Sequence, residues 1–203
     1  MTLIELIMFM VIVGVAAAGI MGVLSYAGKQ SADPARRKQA MMIAEALMEE
    51  VQLARFTYCE PNGDNASTAT SVGDCANNTR LTVSGKNGLV RPYATVADYA
   101  TALNTQQRSF APQGVGADRD VSGRALGTDA GGAQMGNASL AGITTTVELN
   151  ILADATQALN GLQSTAADLA VLRITIRTTY GTGANDFIRL DGYRTRYAPN
   201  FVP

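Results

Sequence analysis

MTLIELIMFMVIVGVAAAGIMGVLSYA, residues 1–27, places one carboxylate, Glu5, at the head of an otherwise apolar segment. From Leu6 to Ala27 there are 22 residues without a formal charge. As a helix they make a rod of roughly 33 Å, enough to cross the hydrocarbon of a bilayer. A carboxylate near the end of such a rod is costly in hydrocarbon unless it is neutralised, so Glu5 is a candidate functional residue. The group available to it is an α-amine. If residue 1 is a processed N-terminus, its ammonium lies about one helical turn away, and a neighbouring copy shifted along the axis supplies the same charge. The bland alternative is a single-pass anchor whose Glu5 sits among lipid headgroups.

The stretch TLIEL followed by apolar residues resembles the mature N-terminus of type IV pilins and of their pseudopilin relatives in secretion systems. The resemblance implies a helical filament, an inner-membrane stage before assembly, a prepilin peptidase that cuts a basic leader, and an assembly machinery. It further implies N-methylation of residue 1 and a docking role for Glu5. Met1 stands where Phe is commoner in that family, and is read either as the processed, methylated residue or as an unprocessed initiator. SADPARRKQAMMIAEALMEEV, residues 31–51, more loosely resembles pilin-like proteins of mannose-sensitive haemagglutinin pili, usually minor components.

Two features argue for interruptions of the helix. Gly14, Gly19 and Gly22 each cost up to about 1 kcal/mol against Ala in a helix interior. They serve either close helix packing or a locally unwound stretch between Gly14 and Gly22, as pilus filaments often have. Asp33 and Pro34 read as an N-cap and first helical position, predicting a kink or restart there. Beyond it, Ala40, Ile43, Leu47, Val51 and Ala54 recur at helical spacing, widened by Met41, Met48 and Leu53. The segment 28–56 is therefore read as an amphipathic helix with one side on a head domain, its methionines filling core. Arg36, Arg37 and Lys38 follow the span on the head side, against the positive-inside rule if the head is exported.

The 203 residues leave one domain after the stem, a head over 57–203. Net charge is -1 with 16 basic residues spread along the chain, which gives no case for a nucleic-acid surface. The chain has no His, so the commonest general base and metal ligand is missing. No Ser, Cys or carboxylate shows a recognisable activating partner, and the expectation is a non-enzyme without cofactor, metal or catalytic residues. Cys59 and Cys75 bracket the turn-rich EPNGDNASTATSVGD; an even count and short spacing predict a disulfide and a non-cytoplasmic head.

Within that loop Asn65 begins an N-glycosylation triplet, as do Asn77 and Asn137 further on. RLTVS, 80–84, alternates like a short strand, and Val96 to Leu103 reads as one or two helical turns. Residues 104–136 are rich in Gly, Gln, Asp and Ala, and read as a long surface excursion that neighbouring subunits would order. Its Asp118, Asp120 and Asp129 lack the following Glu of an EF-hand loop, though a calcium site on them is a minor alternative.

The clearest β signal is C-terminal: ITTTVELNIL at 143–152, LAVLRITIRTTY at 169–180 and FIRLDGYRTRYA at 187–198. Leu172, Ile174 and Ile176 point one way, Arg173, Thr175 and Arg177 the other, and GTGAND turns the chain back. This predicts an antiparallel meander with one wet face and one face under the helix. The fold class is α+β: a long N-terminal helix packed on an antiparallel sheet. The functional expectation is a structural subunit of many copies in an extracellular pilus. The alternatives are a minor pilin, a type II secretion pseudopilin, and a monomeric membrane-anchored binding module.

Overall fold

Apolar residues over its first half, and Ala, Met and Glu over its second, carry helix α1 from Leu3 to Leu53 without a gap, 51 residues in one element. The computed structural model describes residues 3–63, 65–76, 79–83, 85, 91–111, 116–133, 140, 142–152 and 164–197, with backbone only over 26–33. One expectation, a helix restart at Pro34, is corrected by α1, and at the glycines the chain follows the continuous-helix reading. Helical backbone runs through Gly14, Gly19 and Gly22, and Pro34 lies inside the helix instead of starting a new one. The physical reason at the glycines is that unwinding an apolar stretch strips several backbone groups of partners, at several kcal/mol each. That exceeds the glycine penalty of about 1 kcal/mol per residue. At Pro34 helical turns on both sides hold the backbone despite the missing N–H bond, so position 33 is not a helix end.

The chain forms two compact units, Met1–Lys38 and Gln39–Pro203. The second contains the end of α1, the loops and a three-stranded antiparallel sheet in the order β1 (Thr144–Ile151), β2 (Val171–Thr179), β3 (Phe187–Thr195). Pairing is continuous: Val147 faces Ile176, which faces Leu190, and Leu149 faces Ile174, which faces Gly192. These residues share one face. Ala44, Leu47, Met48 and Val51 of α1 join Val147, Leu149, Leu172, Ile174 and Ile176 in one buried core, with Ile188 and Leu190 half-buried at its border. Burying each of these Val, Leu, Ile and Met side chains contributes about 1.5–3 kcal/mol. The register explains Gly192: a Cβ there would lie 2.6 Å from Gln52 Nε2 and 3.2 Å from Met48 Sδ. Glycine lets the helix sit directly on β3.

The expected amphipathic stripe is present with changes. Ala40, Ala44, Leu47, Met48, Val51 and Ala54 are buried, whereas Met41 and Leu53 project outward and the helix stops three residues short of Phe56. Arg55, the second residue after α1, pairs instead as a single parallel bridge with Thr95. The opposite sheet face carries Arg173, Thr175, Arg177, Arg189 and Asp191. It is less wet than its alternation suggests: Thr175 is 4% exposed and donates to Asp191 Oδ1 at 2.5 Å. Arg177 lies over the Phe187 ring at 4.0 Å, covering the face with its stem.

Two smaller expectations shrink. The strand foreseen at 80–84 is one antiparallel bridge, Cys59 to Arg80, extended by Leu81 N–H donating to Tyr58 O at 2.9 Å; Ser84 lies outside the described residues. The helical turns foreseen from Val96 are a single buried 3-10 turn, Val96–Tyr99. The larger change concerns 104–136, which in its described part is no loose excursion. Phe110, Ala111 and Asp118 are buried, and Gln107 forms an antiparallel bridge with Val147 of β1. A few large or polar side chains inside a Gly-rich composition suffice to fasten it.

Candidate assembly site

The first unit carries the apolar helix by itself. Leu3–Ser25 has mean hydropathy 2.6, is long enough to cross a membrane, and none of it is buried in the chain. Such a helix is of the kind that anchors a protein in a membrane or serves as a signal sequence. Glu5 lies in its first turn, where a carboxylate interacts favourably with the unpaired N–H groups of the helix start. Met1, the other half of the expected pair, lies outside the described residues. At Gly14, Gly19 and Gly22 an added Cβ would meet nothing within 4 Å. Among the described residues no contact therefore requires these glycines.

The head unit contains an apolar groove of about 690 Å³. Met42, Ala46 and Leu53 of α1 form one wall, Pro92 and Tyr93 another, and Val121 the third. Ion pairing fixes its floor. Arg91 donates from Nε to Glu50 Oε1 at 2.9 Å and from Nη2 to Glu50 Oε2, while Tyr99 donates to Oε1 at 2.8 Å. The two charged side chains are 8% and 10% exposed. Arg91 Nη1 also donates to the carbonyls of Phe110 and Arg119, with the guanidinium 4.8 Å from the Phe110 ring. Burial, with the Glu50 carboxylate beside it, pushes the Tyr99 hydroxyl far above the usual tyrosine range. One arginine thus ties helix, ring cluster and long loop together. Sequence reasoning missed this cluster because residues 41 apart leave no local signal.

The disulfide joins Cys59 and Cys75, 16 residues apart, and suggests an extracellular head. Closing a loop of this size contributes about 3 kcal/mol in the chain-entropy picture. Inside it Asp74 accepts from the N–H groups of Thr70 and Ser71, both at 2.9 Å, and these bonds hold its carboxyl below the usual value. Asn65 donates its side-chain amide to Asp74 O at 3.0 Å with left-handed backbone, φ 65, so that triplet is built into a turn. The Asn77 and Asn137 triplets fall wholly or partly outside the described residues.

The three aspartates of the long loop each serve separate local structure. Asp118 is buried, accepts from Thr145 N–H at 2.6 Å and pairs with Arg108 at 3.3 Å. Asp120 accepts from Ser122 and Arg124, and the Ser122 hydroxyl foremost holds its carboxyl at about 2. Asp129 accepts from the N–H groups of Gly131 and Ala133. Among the described residues, no group of three or more His, Cys, Asp or Glu is arranged to hold a metal. Compared with protein-family models, curated proteins and solved structures, the chain matches none.

Proposed function

We propose that this chain is a structural subunit of a type IV pilus, non-enzymatic, inserted in the inner membrane and then assembled into an extracellular helical filament. The observation that carries the reading is the exposed apolar helix, Leu3–Ser25, none of which is buried. Lipid covers it before assembly and other stems cover it afterwards. Because both environments are apolar, the transfer gains little hydrophobic free energy, and close packing decides the outcome. Glycines 14, 19 and 22, facing open space, supply surfaces where a neighbouring helix can approach closely. Glu5, paired with the N-terminal ammonium of its own or a neighbouring copy, sets the axial register. A head-to-tail contact that does not close propagates as a fibre. In this reading the peptidase and assembly machinery are partners, and Met1 is the methylated residue.

The reading is tested on sheared fibres from cells making variant chains. Glu5→Gln and Gly19→Leu are expected to lower fibre yield strongly while leaving the membrane-inserted pool intact. Normal fibre yield from both would sink it. The apolar groove of the head favours a second reading, a membrane-anchored binding module, in which the chain stays monomeric in the membrane fraction. A minor pilin or pseudopilin would share the stem chemistry and differ in being nearly absent from surface fibres.

A further inference from the structure

β3 is the outer strand of the sheet and its backbone faces are readable from the register. Tyr180 N–H donates to Asp186 O and Arg196 N–H to Ala170 O, so even-numbered residues of β3 bond toward β2. The odd-numbered ones turn their N–H and C=O groups outward. Among the described residues no hydrogen bond reaches those groups on Arg189, Asp191, Tyr193 or Thr195. The next outward group, Tyr197 N–H, is taken by Phe56 O at 3.1 Å. Pairing with β2 is unbroken over nine residues, without bulge or proline, which makes this, among the described residues, an edge open to another strand.

Charged residues usually blunt such an edge against arbitrary strands. Here their signs and spacing match one particular strand, that of a second copy. In an antiparallel pairing centred on Leu190, Arg189 faces Asp191 of the second copy and Asp191 faces its Arg189. Phe187 then faces Tyr193, and on the other face Ile188 faces Gly192. Shifting the register by two residues puts Arg189 against itself or Asp191 against itself, which like charges disfavour. Arg189 and Asp191 already form a 3.0 Å pair within the strand, so each copy presents both signs side by side.

We propose that the β3 edge is a self-complementary docking surface that joins two copies of this chain into one six-stranded sheet, Arg189 of each opposite Asp191 of the other. The contact is two-fold and closed, so it links two copies or two fibres and cannot itself propagate. It stands apart from the stem-driven reading.

Cross-linking of the full chain in detergent micelles tests it. Opposed residues of a bonded antiparallel pair lie about 5.5 Å apart at Cα, within disulfide reach, whereas residues offset diagonally exceed about 7 Å. Mixing Arg189→Cys with Asp191→Cys should give a disulfide-linked dimer, and one native charge pair survives in that hybrid. Each variant alone should give at least about tenfold less, since its cysteines fall outside bonding distance in this register. Adding Tyr193→Pro to both, which removes an outward N–H and spares the β2 ladder, should abolish the dimer without lowering the melting temperature. Equal cross-linking of single variants, none in the mixture, or a dimer that survives the proline would each overturn the proposal.

Discussion

β1 and β3 are the two outer strands of one sheet, and they end in different ways. Along β1 every outward backbone position from Thr145 to Ile151 meets a fitted group. Asp118 accepts from Thr145 N–H, Gln107 exchanges both bonds with Val147, Asn104 N–H donates to Leu149 O, and its side chain accepts from Ile151 N–H. Along β3 no described residue bonds to the equivalent positions at Arg189, Asp191, Tyr193 and Thr195. The difference teaches what the long loop is for: it is the cover of a sheet edge, held there by Arg91, whose guanidinium grips Glu50 on α1 and the loop carbonyls at Phe110 and Arg119. With the β1 edge sealed inside the chain, β3 is the edge at which the proposed second copy would pair.

The largest effect is expected where the seal is anchored. Arg91→Ala strands the buried Glu50 carboxylate and should cost about 3–5 kcal/mol. Hydrogen exchange should rise at the Val147 amide as the loop loosens, while amides of β2 stay protected longer. Asp118→Ala leaves the buried Thr145 N–H without its acceptor, an expected loss of about 1–3 kcal/mol by chemical denaturation. At the open edge Gly192→Val probes packing instead of sealing. Its side chain meets the movable tips of Gln52 and Met48, so the cost should fall toward the low end of about 1–3 kcal/mol.

The smallest effect is the pH dependence of the two edge aspartates, which run in opposite directions. Burial raises Asp118 above the ordinary aspartate value despite its bonds from Thr145 and Arg108. The folded state then holds that proton more tightly, so the stability it contributes is present below the ordinary value and lost as pH rises through the raised one. For Asp191 burial acts upward, but the Thr175 hydroxyl and Arg189 together outweigh it and lower the value. Its contribution is present above the ordinary value and lost as pH falls through the lowered one. Melting curves across the acidic range should therefore show Asp118→Asn removing a contribution that strengthens on acidification, and Asp191→Asn one that weakens.

The parts of this molecule governed by short-range pattern were legible in the sequence. Alternation at Leu172, Ile174 and Ile176 gave β2 and its buried face, the helical spacing of Leu47 and Val51 gave the covering helix, and the cysteine spacing gave the disulfide. Pro34 does not restart the helix, because the helical turns on both sides of it outweigh its local preference. The seal on β1 was illegible for a different reason. Gln107, Asp118 and Arg91 sit in Gly-rich or irregular sequence, and their partners lie 27 to 41 residues away or across a sheet edge. Composition there reads as loop, and only the fold shows what the loop touches.

The central claim, that the exposed apolar stem builds a fibre, is tested most directly by mass spectrometry of surface fibres sheared from cells that make this chain natively. If the stem builds the fibre, the chain is the main component of thin helical fibres and begins with a methylated Met1. Its absence from fibres, with an unmethylated N-terminus and a monomer held in the membrane fraction, would contradict it.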